Sequence, residues 1–419
     1  MIKASALYIV IIIALVIAVL CSALVATAYF YREEYQKKFR YDRLQNNLTS
    51  GINYLLAGSE GSTQNKTFSL FNNPEDSVTI TRRQWGVYEM ATCQAFIQHD
   101  TLFKTFSIAN SIDSAKWAAL YLIDEDRPLS VSGKTSISGN VYIPKAGIRT
   151  AYVDNKAYEG DKDFVKGHQY NSEKSLPPLN PSQIDELLSH FTDSTGRATA
   201  FRGDSVYNSF LNPTRVINLP KKAAAIADIK INGNIILYAD TTLTIDSTAT
   251  LNNTMVFARA IVIKSGFKGN CQLFATDSIR IEPRCHLEYP SAIGIIRTKN
   301  EKVATPPKLF VGNASQISGV IFSYDKEKSE VPIIISLDKN VIVYGQVYSQ
   351  GTLSLKDGVK IYGSVSANRF LYQNSYSAYE NYLINLEINS RKVSPHYLSG
   401  SLFPAASKTK KVLQWIEGN

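Results

Sequence analysis

Between Ile231 and Cys285 an apolar residue returns at every sixth position: Ile231, Leu237, Leu243, Ala249, Met255, Ile261, Phe267, Leu273, Ile279 and Cys285. A companion series lies two residues on, through Ile245, Leu251, Phe257, Ile263, Gly269, Ala275, Ile281, Leu287 and Ile293. The same spacing resumes near the C-terminus at Val341, Val347, Leu353, Val359 and Val365. A helix brings side chains back to one face about every 3.6 residues and a strand every 2, so neither alone repeats every six. Two inward positions separated by two, repeated every six, describe a short strand followed by a corner. Three such faces close one coil of about 18 residues, and stacked coils pair edge to edge.

A glycine pattern supports the same coil length. Apolar-x-Gly-x-apolar occurs around Gly139, Gly233, Gly269, Gly319, Gly345 and Gly363. Gly345 and Gly363 are 18 apart, and Gly319 precedes Gly345 by 26, an excess of eight that the charged insert YDKEKSEV can supply. Glycine in such strands admits a bend or a close approach of stacked backbones. Residues 229–367 resemble the hexapeptide left-handed β-helix and the bactofilins, polymer-forming bacterial β-helix proteins, with an outlying copy at 129–143.

The N-terminal pattern differs. No charged residue occurs from Ala4 to Tyr31, and a membrane span needs about 20 predominantly apolar residues. Tyr8, Tyr29 and Tyr31 stand where interfacial aromatics are expected. A cleaved signal peptide is the competing reading, but its apolar region would be unusually long. Beyond it, Tyr31, Tyr35, Phe39, Leu44, Leu48, Ile52 and Leu55 return at helical spacing, which predicts one helix over residues 4–57 ending before Gly58. An apolar stretch near the N-terminus with an amphipathic continuation into a strand-rich domain resembles the type IV pilins and minor pseudopilins. The early glutamate and the glycine before the cleavage site of major pilins are not matched by MIKASALYIV.

From Asp76 to Asn110 the two-residue alternation predicts three strands in a meander, a sheet able to bury its apolar face on the emergent half of the helix. Residues 144–228 are irregular, with a short helix after Asn180 and Pro181. YLINLEIN near the C-terminus alternates as one strand, with Ile384, Leu386 and Ile388 on one face, and is expected to cap the stack. The fold expected is mainly β: a parallel β-solenoid of about 18 residues per coil, an N-terminal transmembrane and stalk helix, and a small antiparallel β meander. The divisions are 1–31 anchor, 32–58 stalk, 59–128 meander domain, 129–228 first coil and insertion, 229–373 solenoid, and 374–419 capping strand and tail.

Composition adds restraint. The formal charge is +9, but Lys and Arg are spread along the chain, so no nucleic-acid partner is expected. The Lys and Arg between Arg32 and Arg43 place the large domain in the cytoplasm by the positive-inside rule. The pilin resemblance implies the periplasm instead, which is the placement adopted. Of four cysteines, Cys21 lies in the apolar segment, and Cys271 and Cys285 stand 14 apart, out of step with an 18-residue coil.

Concentrated chemistry is not found. His99, His168, His190, His286 and His396 match no metal-ligand spacing. Asp240, Asp246, Asp277 and Glu282 fall on different corners, whereas glycan-cleaving enzymes need paired carboxylates. No catalytic residue, metal or cofactor is expected, and the chain reads as a structural protein rather than an enzyme. The expected partners are membrane lipid through residues 4–31 and other proteins, or further copies, through the solenoid. The expected role is a membrane-anchored scaffold of the bacterial envelope, in the inner membrane, of minor-pilin-like kind. The alternatives are a cytoplasmic bactofilin-like polymer and an envelope polysaccharide enzyme.

Overall fold

The computed structural model describes residues 4–58, 63–71, 75–113, 116–192, 203–219, 224–297, 305–327, 329–404, 407 and 409–418. The chain forms two compact units. One comprises residues 1–82, 91–105 and 416–419, and the other residues 83–90 and 106–415.

The first unit is built on α1, a single helix of 54 residues from Ala4 to Ala57, about 80 Å long at 1.5 Å per residue. Its sheet partners belong to an antiparallel run β1 (Thr63–Phe68), β2 (Asp76–Trp85), β3 (Tyr88–Ile97) and β4 (Asp100–Ser111). Leu398–Ser399 and Lys410–Gly418 also pair with β4. On α1, Leu44, Leu48, Ile52 and Leu55 are buried. Gly51 makes the approach close, because a Cβ there would stand 2.7 Å from both Cys93 Sγ and Val78 Cγ1.

Polar contacts fix the helix along its length. Asp76, buried, accepts from Arg43 Nε at 3.0 Å and Asn47 Nδ2 at 3.0 Å, and Arg40 pairs with Asp100 at 2.8 Å. These contacts mark where burial begins. Tyr35 and Phe39, on the same helical stripe as the buried residues, are instead 65% and 60% exposed, and Tyr31, expected at the membrane interface, is 76% exposed. They lie one to three turns before the residues that contact the sheet.

In the second unit strands pair in parallel from layer to layer, and the repeat appears as columns. One column runs Ala224, Leu243, Ile261, Ile279, Leu309, Ile335, Leu353 and Phe370. Another runs Ile217, Leu237, Val256, Leu273, Ile293, Ile321, Val347 and Val365. Every member of both is buried in one apolar core. Ile231, Ala249, Phe267, Cys285, Val341 and Val359 lie in the same core.

One expected core position is wrong by a residue. Met255 pairs with Ile236 and Gln272, while Val256 takes the inward place beside Leu237 and Leu273. The cause is an extra residue at Asn253, which adopts φ +53° where the register shifts between Asn252 and Thr254. A one-residue slip turns each following side chain to the other face. Phe257, placed inward by the companion series, therefore faces out, stacked between Tyr238 and Phe274 at 5.5 and 5.0 Å. A second shift between Ala258 and Ala260 restores Ile261 to its column.

The order of layers also departs from the expected one. The segment 136–143 does not precede the layer containing Ile231. Ala118–Leu122 pairs with the strand Lys360–Gln373 through Leu120 and Val365, and Ser136–Ser138 pairs with Glu387–Asn389. Asn140–Ile143 pairs with Ala118–Leu122 and then with Gln169–Asn171. The segment ahead of the helical insertion thus continues the stack past residue 389, while Ser205–Asn208 and Arg215–Asn218 lie at its other end. The described part of the connection between them, residues 172–192, ends in α2 (Pro181–Thr192), where the Asn180 side chain accepts from Ser182 N at 3.2 Å. The tail does not cap the stack, because Glu387–Asn389 is paired on both sides. YLINLEIN is two short strands, with a corner at Asn385, φ +53°.

The glycines Gly319, Gly345 and Gly363 pair in register despite the unequal spacing. A Cβ on Gly345 would stand 2.0 Å from Gly319 O, and one on Gly363 1.8 Å from Gly345 O. At φ +141° and +154° the backbone is also one that side-chain-bearing residues avoid. Gly363→Ala is expected to cost about 3 kcal/mol or more. Gly266→Ala, at φ +82° with nothing within 4 Å of the added carbon, should cost only about 1 kcal/mol. Urea unfolding of the two variants measures the difference.

Candidate functional site

The apolar half of α1 is the first functional surface. Described residues 6–32 are all exposed, including Tyr8 at 67%, Tyr29 at 67% and Tyr31 at 76%. The helix is long and apolar enough to cross a membrane. Just beyond it Lys37 pairs with Glu33 at 2.9 Å, one turn away.

The groups scanned for catalysis are dispersed. Asp277 is bound to Arg259 at 2.5 Å and Glu282 to Lys264 at 3.0 Å, each a pair between adjoining layers. Asp246 accepts from Thr248 N within its own corner. His190 Nδ1 lies 2.8 Å from Tyr238 Oη, and His286 sits in the register of Lys268 and Gln316. No group of three metal-ligating side chains occurs among the described residues. All four cysteines are free thiols. Cys93, Cys271 and Cys285 are buried, and burial pushes the thiols of Cys93 and Cys271 up to about 12.

Hydrogen bonding moves two carboxyls the other way. The Lys264 ammonium holds Glu282 below the usual carboxylate range. Tyr372 and Asn374 do the same for Asp154, bonding it at 2.7 and 2.6 Å. Burial, with the Asp154 bond, raises the Tyr372 phenol.

A cleft of about 840 Å³ opens on the outer face of the strand layers, within the second unit. One wall is apolar, from Leu176, Pro178, Leu179 and Ile184 on the joining segment and α2. Its polar lining comes from Tyr324, Gln350, Thr352, Asn368 and Arg369 on three neighbouring strands. Arg369 is bound by Glu125 at 2.9 and 3.1 Å and by Glu380 at 3.0 Å. At the rim Asp325 pairs with Arg297 at 3.1 Å and accepts from Ser329 N at 3.0 Å, which ties down the segment YDKEKSEV. None of these cleft residues was singled out from sequence. They occupy outward positions, which carry no apolar repeat, and the charged insert was the one local signal.

No protein-family model matches the chain, and no curated protein matches it. Among solved structures it is similar to the competence-associated pilin ComZ from Thermus thermophilus, at 11% identity and a TM-score of 0.27, over 86% of this chain and 87% of that one.

Two measurements follow from the titrating groups. With thiol pKa values near 12, only about one ten-thousandth of Cys93 or Cys271 is thiolate at pH 8. A maleimide at that pH should leave both unmodified in the folded chain and label both in denaturant, as peptide mass spectrometry would read. Glu282 has a folded pKa below its unfolded value, so its stabilisation is present above the unfolded pKa and lost as pH falls through the folded one. Glu282→Gln should therefore lower the melting temperature at about pH 7 and leave it unchanged at about pH 2.

Proposed function

We propose that this chain is a single-pass membrane-anchored structural protein of the bacterial envelope, built on a pilin-like plan. In it the stacked parallel strands wind as a β-solenoid that serves as a rigid surface for assembly with other proteins. The observation that carries the reading is the division of α1. Its first half presents exposed side chains that carry no charge from Ala6 to Tyr31 and are mostly apolar or aromatic, while Leu44, Leu48, Ile52 and Leu55 are buried. Such a helix couples a lipid-embedded segment to a folded domain without a flexible joint.

The solenoid reading rests on the recurrence of 18-residue offsets, as from Leu243 to Ile261 to Ile279, which returns each layer to the same face after one circuit. A structural role is favoured over an enzymatic one because the carboxylates and histidines weighed for catalysis are dispersed and engaged in pairs. The large domain is assigned to the periplasm. A cytoplasmic, bactofilin-like scaffold is the second reading, favoured by Arg32, Lys37, Lys38, Arg40 and Arg43 on the domain side of the span.

Lys339→Cys places a thiol at an exposed corner of the second unit. In intact spheroplasts a membrane-impermeant maleimide should label this variant at once. Labelling only after lysis would reject the periplasmic placement in favour of the cytoplasmic scaffold. Cross-linking in the same membranes should trap the chain with itself or another protein, and a strictly monomeric product would remove the assembly role.

A further inference from the structure

The cleft beside α2 has properties that the scaffold role does not call on. We propose that it is a binding site for a neutral, hydroxyl-rich ligand, a segment of an uncharged glycan. Its volume of about 840 Å³ lies within the range of small-molecule sites, roughly 300–1,000 Å³.

The charges of the polar wall argue for a neutral occupant. Arg369 is compensated by Glu125 and Glu380, and Asp325 by Arg297. An ionic ligand would have to compete with those partners, and breaking the buried Arg297–Asp325 pair would leave an uncompensated ion. The remaining charges, Lys174, Lys326 and Glu330, are exposed and of mixed sign, so they supply no field that would select an anion or a cation.

The wall also carries unused hydrogen-bonding capacity. The Thr352 hydroxyl lines the cleft with no hydrogen-bond partner among the described residues, so it is free to bond a ligand hydroxyl there. The Asn368 amide donates to Gln350 O at 2.6 Å, which leaves its own oxygen facing no donor among the described residues. The Tyr324 hydroxyl is likewise unbonded there. These groups stand on three neighbouring strands, with Thr352 level with Arg369, so the cleft offers donors and acceptors at more than one point along its length.

The apolar lining completes the match. Leu176, Pro178, Leu179 and Ile184 line the same cleft as the polar groups. A pyranose has hydroxyls along its edge and C–H groups on its face, and so suits a slot with one polar and one apolar side. The tether from Arg297 and Ser329 to Asp325 holds the rim in place before a ligand arrives, which limits the ordering cost of binding.

The test uses the full chain in nanodiscs, free of sugar-headed detergent. Calorimetric titration with neutral hexasaccharides of glucose and of N-acetylglucosamine should show saturable binding by at least one, and a galacturonate hexasaccharide should bind more weakly. Thr352→Val with Asn368→Leu should weaken the neutral glycan about tenfold or more while leaving the circular dichroism unchanged. Should that double variant fail to fold, Tyr324→Phe keeps the ring, removes one hydroxyl, and should weaken the same glycan. The proposal is overturned if no neutral hexasaccharide saturates by about 10 mM. It is equally overturned if the galacturonate binds more tightly, or if the folded variants bind as the parent does.

Discussion

The second unit depends on one constraint: strands that pair in parallel, layer upon layer, must place like residues over like. Backbone N–H and C=O groups find their partners in the adjoining layer, as the core would otherwise hold unsatisfied polar groups. Once the pairing is set, the inward side chains form columns such as Leu243, Ile261 and Ile279, and any residue too many must leave the register. The insert after Asp325 does so by looping outward, so that Gly319 still pairs with Gly345. The extra residue at Asn253 does so by a bulge, and the register recovers before Ile261.

That constraint explains what could be read from the sequence. A sixfold apolar spacing is a direct projection of the columns, so Ile231, Leu237, Leu243, Ile261, Leu273 and Val347 were found from spacing alone and lie in one core. Met255 was misplaced because an apolar residue follows an apolar residue there, and either Met255 or Val256 satisfies the count. The Asn252–Asn253 pair was the available signal, since asparagine tolerates the left-handed conformation seen at Asn253. The order of the layers was not legible at all. A repeat identifies a segment as belonging to the stack, but contains nothing that names its neighbour. The cleft was equally silent, because outward residues such as Thr352 and Asn368 follow no period.

In the first unit a different interaction governs. The missing side chain at Gly51 lets α1 approach Val78 and Cys93, and Asp76 gathers Arg43 and Asn47 at the same end of the contact. Apolar contact and polar fixation together make the emergent helix part of a domain core. The three aromatics before that point, Tyr31, Tyr35 and Phe39, stay uncovered by it. Helical spacing alone could not separate the covered turns from the uncovered ones, because both carry the same stripe.

The layer order sets a timetable for the growing chain. Leu120 and Ile137 are made early, yet the strands they lie against, carrying Val365 and Ile388, follow about 250 residues later. Layers between Lys230 and Gln373 can be added one on another as they emerge, each templated by the one before. The segment containing Leu120 and Ile137 has no such template and must wait, tethered and incomplete, until those later strands exist. A chain lacking those strands would present unfinished edges on both sides of the gap they leave, and quality control could distinguish it from the finished molecule by that alone.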